Sequence, residues 1–90
     1  MINNIRFELS FKNISQLENK LNFCKLNNIK NINIPCKGLI KKDLFNSAIV
    51  YISKNFQEFD VTYHYSLYHQ YSNNKDKSYQ DFLDFIENSY

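Results

Sequence analysis

Val61-Thr62-Tyr63-His64-Tyr65-Ser66-Leu67 alternates large apolar side chains with smaller or polar ones along its whole length. A period of two is that of a β-strand with one face buried and the other left polar. The same alternation opens the chain, where Ile5, Phe7, Leu9 and Phe11 are interleaved with Arg6, Glu8 and Ser10. Between the two lies residues 29–34, short and rich in isoleucine, stopped by Pro35, which has no N–H to give a ladder.

The segments around these strands carry helical spacing instead. Ser15 followed by Glu18 has the form of a capping box. After it Leu17, Leu21 and Cys24 share one face, with Leu26 near its edge, until Asn27-Asn28 ends the turn. Beyond a loop at Pro35-Cys36-Lys37-Gly38, Asp43 is placed to cap a second helix whose apolar stripe is Leu44, Phe45, Ala48, Ile49, Ile52 and Phe56. Downstream of the third strand, residues 73–77 form a polar loop, and Ser78 with Asp81 starts a last helix carrying Tyr79, Phe82, Leu83 and Ile86 on one side.

Strands separated by helices of this length pair in parallel through right-handed crossovers. The sequence therefore predicts an α/β segment over residues 1–90, βαβαβα in order, with a parallel sheet and its crossover helices on one side. The helix-facing set is Phe7, Leu9, Ile32, Ile34, Val61 and Tyr63, and the opposite face keeps Arg6, Glu8, Ser10, Asn31, Asn33, Thr62, His64 and Ser66. A doubly wound sheet would bury both faces and lose this alternation. Two architectures fit: a two-layered sheet whose polar face meets water or a partner, and one side of a (β/α)8 barrel whose polar face lines the interior.

Composition limits the function classes. Apolar residues are 43% of 90, enough for one modest core. The longest apolar run, Ala48-Ile49-Val50-Tyr51-Ile52, falls far short of the ~20 residues of a membrane span. The first residues lack the pattern of a secretory leader, so a cytoplasmic location is expected. Net charge is +2, and the lysines gather in two small clusters, 37, 41, 42 and 75, 77, rather than the basic face of a nucleic-acid binder. The 14 asparagines and 10 lysines have AT-rich codons, which discounts their abundance as a functional signal. Cys24 and Cys36 read as free thiols, and with His64 and His69 they match no metal-ligand spacing. A single glycine, Gly38, rules out a phosphate-cradling loop.

Chemistry is left to the polar face. Glu8 and His64 are its titratable pair, with Asn33 on the strand between them. A carboxylate held among apolar neighbours can act as an acid near neutral pH, and an imidazole as acid, base or donor. The bland alternative is a Glu8–lysine pair and a structurally satisfied histidine. His69 with Tyr65, Tyr68 and Tyr71 reads as an aromatic loop after the third strand, able to stack on a flat ring or to pack beneath a helix.

Phe7-Glu8 on the first strand and His64 within Val61-Thr62-Tyr63-His64-Tyr65-Ser66 resemble the first and third strands of the methylenetetrahydrofolate reductase barrel, as does the strand–helix spacing. The resemblance implies the first part of a TIM barrel, an oxidoreductase of one-carbon metabolism that uses FAD. Glu8 would match the acid that protonates the folate and His64 a residue beside the flavin, with Asn33, Ser66 and Tyr68 as flavin contacts. Tyr90 falls after three of the eight strand–helix units of such a barrel. The chain is accordingly expected to be an inactive fragment or subunit that neither binds flavin nor turns over alone, and to self-associate or meet a complementary chain through open sheet edges. The alternative, from another class, is a small protein-interaction module without catalytic activity.

Overall fold

The computed structural model describes residues 6–36, 40–66, 68–76 and 78–89. The elements run β1 (Phe7–Glu8), α1 (Ile14–Leu26), β2 (Asn31–Pro35), α2 (Lys42–Asn55), β3 (Asp60–Ser66), β4 (His69–Ser72) and α3 (Tyr79–Glu87). The sheet is open and mixed, in the order β1-β2-β3-β4. β1, β2 and β3 are parallel, as their crossovers demand, whereas β4 returns antiparallel along β3.

Local chemistry sets the element ends. The cap of α1 lies two residues before the expected Ser15: Gln16 N–H donates to Asn13 Oδ1 at 2.8 Å, and Lys12 N–H to Gln16 Oε1 at 2.9 Å. Asparagine caps as well as serine does, and Asn13 with Gln16 forms a similar two-way arrangement. Asn28 takes a left-handed φ of 58°, which its short polar side chain tolerates, and Ile29 N–H turns back to the Cys24 carbonyl at 2.8 Å. Asp43 does not cap α2. The N-cap is Lys41, with no side-chain bond, and Asp43 lies in the first turn, where its charge meets the helix dipole. Ser78 does cap α3, accepting from Asp81 N–H at 3.3 Å.

The core forms on one face of the sheet. Leu9, Ile32, Ile34, Val61 and Tyr63 are buried against Leu17, Leu21 and Cys24 of α1 and Phe45, Ala48, Ile49 and Ile52 of α2. Each such side chain contributes about 1.5–3 kcal/mol. α3 joins the same layer through rings: Phe82 meets Phe45 at 6.2 Å and Tyr71 at 5.5 Å, and Tyr63 meets Tyr71 at 5.9 Å. The helices thus cover one face and leave the other bare.

Three expectations are corrected. The sheet is not purely parallel, because the segment read as an aromatic loop folds back as β4, which brings Tyr71 opposite Tyr63 and buries it. β4 occupies the edge of β3 at which a barrel would add its next parallel strand. Phe7, assigned to the core, remains 42% exposed because it stands at the sheet margin, and β1 is far shorter than the alternation of residues 5–11 predicts. Ile5, Leu67 and residues 37–39 lie outside the described residues.

Candidate functional site

The bare sheet face gathers the chemistry-bearing residues. Glu8 pairs in register with Asn33, and Asn33 with Thr62, so these three form one row across the strands. His64 lies one rung further along β3, paired with Pro35 on one side and Gln70 on the other. Glu8 and His64 therefore meet diagonally rather than directly, with Asn33 between them. Together with Cys36, Ser66 and Gln70 they line an open cleft of ≈ 420 Å³. Glu8, Pro35 and Ser66 are the last residues of their strands, so the cleft lies at the carboxyl ends of the parallel set, where α/β sheets place their ligands.

Each side chain has a distinct state. Partial burial holds the His64 imidazole below its ordinary pKa of 6.5, the positive charge of Arg6 adds to this, and the Glu8 carboxylate opposes it. His64 is thus a neutral ring at pH 7, able to accept a proton or to bond in either tautomer. Glu8 is exposed to solvent, and no lysine pairs with it among the described residues. Asn33 Oδ1 is buried with no hydrogen-bond partner among the described residues. A buried acceptor without a donor is destabilising by about 1–3 kcal/mol, and among the described residues Asn33 shares this state with Asn46 Oδ1 of α2, away from this cleft. Burial also raises the Cys36 pKa, which keeps the sulfur a neutral thiol rather than a nucleophilic thiolate. Its main-chain N–H donates to the His64 carbonyl at 2.8 Å and so fixes the cleft wall.

Of the remaining candidates, Ser66 shares the cleft and Tyr68 does not. Ser66 reaches the rim, but its hydroxyl is engaged with His69 Nδ1 at 2.7 Å, and the His69 ring stacks on Phe85 at 4.3 Å. Tyr68 lies in the β3–β4 turn, 86% exposed and off the cleft. Among the described residues no group of three His, Cys, Asp or Glu is arranged to hold a metal ion, and no helix is long and apolar enough to cross a membrane.

Gln70 escaped the sequence reading, and Arg6 was placed on the polar face without a role. Gln70 enters the cleft only because β4 exists, and no turn signal of the Asn-Gly type marks that hairpin. Arg6 straps the opposite end of the same face: its guanidinium donates to the carbonyls of Ile32 and Asp60 at 2.9 Å and to Asp60 Oδ1 at 2.8 Å. As the chain's one arginine, set at the start of an alternating strand, it was the available signal. Its fixed fork suits such multiple bonding.

No protein-family model, curated protein or solved structure matches this chain.

Proposed function

We propose that this chain is a binding module that works through its bare sheet face and performs no chemistry alone. The observation that carries this reading is the buried, unpartnered Asn33 Oδ1 beside the cleft formed with Glu8 and His64. A ligand or partner segment that brings an N–H or O–H donor would satisfy it once the Asn33 side chain turns out into the cleft it lines. Neutral His64 adds a second hydrogen-bonding group, and exposed Glu8 an acceptor at the rim. Catalysis would need these groups enclosed from water, and the open face provides no enclosure. The test is a nuclear magnetic resonance titration of the labelled chain with a panel of small amides, ureas and heteroaromatic amines. Binders should shift the Asn33 side-chain amide and the His64 ring together, and Asn33→Val should abolish the response. Shifts confined to other surfaces would overturn the reading.

A second reading has its own observation in favour. Three parallel strands in sequential order carry Glu8 and His64 at their carboxyl ends, as the reductase-like barrel requires of its first strands. In that reading the face is one wall of an FAD site whose other walls come from a complementary chain. The described residues do not form a flavin cradle themselves: the Ser66 hydroxyl is taken by His69, and Tyr68 does not line the cleft. Titration with FAD should therefore leave flavin fluorescence unchanged. A purified chain that holds flavin in stoichiometric amount would promote this second reading over the first.

A further inference from the structure

The two ends of the bare face are built differently. The cleft occupies the carboxyl ends of the parallel strands, and the other end holds an ionic hub, the Asp60 carboxylate at the start of β3. Its two oxygens take partners from opposite margins of the sheet. Oδ1 accepts from Arg6 Nη2 at 2.8 Å, just before β1, and Oδ2 accepts from Asn74 Nδ2 at 2.9 Å, in the turn after β4. That turn is clamped to β3 through Asn73. Asn73 N–H donates to the Val61 carbonyl at 3.2 Å, its Oδ1 accepts from Val61 N–H at 3.0 Å, and its Nδ2 donates to the Phe59 carbonyl at 2.8 Å. Ser72 Oγ donates to Asn74 Oδ1 at 2.6 Å, which fixes the next amide with its Nδ2 toward Asp60. An amide so oriented offers the carboxylate a donor, and bonds to a charged partner are the stronger kind.

On the opposite side, Arg6 is what fastens β1. The strand is two residues long and lies at the sheet margin, so its ladder alone is a weak attachment. The guanidinium reaches the Ile32 carbonyl on β2 and, past it, the Asp60 carbonyl on β3, both at 2.9 Å. The terminal torsion of an aspartate is soft. A carboxylate gripped at one oxygen can swing about it, whereas one gripped at both cannot.

We infer that Asn74 is a positioning residue for this strap: by holding Asp60 Oδ2 it fixes Oδ1 against Arg6, so the turn after β4 sets how firmly β1 stays on the sheet. The first and last strands share no ladder and are coupled through this one carboxylate. β1 carries Glu8, so where the cleft serves as a binding site the coupling reaches its rim from the far margin.

Nuclear magnetic resonance of the chain without any ligand tests the strap, so its failure leaves the binding reading standing. Leu9 N–H, bonded to the Asn33 carbonyl, reports β1, and Cys36 N–H, bonded to the His64 carbonyl, reports the β2–β3 pair. Asn74→Ala should speed hydrogen exchange at Leu9 about three- to tenfold, the effect of losing an exposed bond to a charged group, and leave Cys36 unchanged. Arg6 is the chain's one arginine, so its Nε signal is unambiguous, and rotation of its guanidinium should quicken in the same variant. Ser72→Ala, which frees the Asn74 amide to turn, should act in the same direction and less. In an Arg6→Ala background, Asn74→Ala should add nothing at Leu9, because no strap is left to position. Asn74 is exposed, and circular dichroism checks that the variants remain folded. Unchanged exchange at Leu9 in Asn74→Ala overturns the inference. So does equal acceleration at Cys36, an unchanged guanidinium rotation, or an undiminished effect in the Arg6→Ala background.

Discussion

Replacing Asn33 with valine should stabilise the fold. The Asn33 side chain lies half-buried in the middle of the bare face, and its Oδ1 is buried without a donor among the described residues. Such an orphaned acceptor is worth about 1–3 kcal/mol of lost stability. Valine removes it, keeps a similar volume, and suits a central strand better on a propensity scale that spans about 1 kcal/mol. Since one side of the residue looks onto an open cleft rather than a dry core, the lower end applies, and the expected gain is about 1 kcal/mol. In a domain of this size that raises Tm by roughly 4–8 °C. Urea unfolding followed by circular dichroism is the assay, with the midpoint rising while the slope m is unchanged. A loss of about 1 kcal/mol or more would refute the reasoning, because it would mean that the amide supports the sheet rather than waits for a ligand. Stabilisation joined to loss of binding is the expected signature of a residue kept for function against stability.

Arg6→Ala should lower stability by about 1.5–3 kcal/mol, since hydrogen bonds to the Ile32 and Asp60 carbonyls and to the Asp60 carboxylate are lost together; an unchanged urea midpoint would show the strap to be idle. His64 takes up a proton less readily in the folded chain than unfolded, so its contribution is complete above pH 6.5 and is lost as pH falls through 6.5 toward the lower folded value. Unfolding measured between pH 7.5 and 5 should show that slope in the natural chain and a flatter one in His64→Gln; equal slopes would assign the effect to other groups. Tyr71→Ala removes a ring packed on Tyr63 and Phe82 and should destabilise by about 3 kcal/mol, with amide exchange in β4 and α3 accelerating before that in β2. Asp76→Ala frees the Ser72 N–H at the β4 margin and should increase aggregation, read by light scattering, more than Asp81→Ala on the exposed first turn of α3.

Period-two alternation was enough to place Glu8, Asn33 and His64 on one face and Leu9, Ile32, Ile34, Val61 and Tyr63 on the other, because a half-buried sheet imposes that alternation on every strand it contains. Helical stripes located α1, α2 and α3 for the same reason. What alternation does not carry is register. Loop lengths allow neighbouring strands to slide by two residues without exchanging faces, so the diagonal offset between Glu8 and His64 was not legible. Nor was β4, which is four residues long and lacks a hairpin turn signal. Tyr65, Tyr68 and Tyr71 recur every three residues, a spacing that does not spell a strand, and a bulge between His64 and Ser66 brings Tyr71 across from Tyr63. The unpartnered Asn33 acceptor is a property of the assembled sheet and has no local sequence mark at all.

The sheet order β1-β2-β3-β4, with α1 beside α2 and α2 beside α3, means that the principal neighbours in space are also neighbours along the chain. Such an arrangement behaves like a short row of dominoes, each unit leaning on the one before and the one after. Few long loops must close before contacts begin to reward them, so folding should be fast for a protein with a largely parallel sheet. The same nearest-neighbour logic predicts graded opening, with fraying from β1 and from α3 at low free energy and the β2–β3 pair opening last. Asn33 and His64 belong to that last pair, whereas Glu8 belongs to the strand that lets go first. The cleft thus has one firm wall and one that can lift away, and ligand exchange can proceed by peeling β1 without disturbing the rest of the sheet.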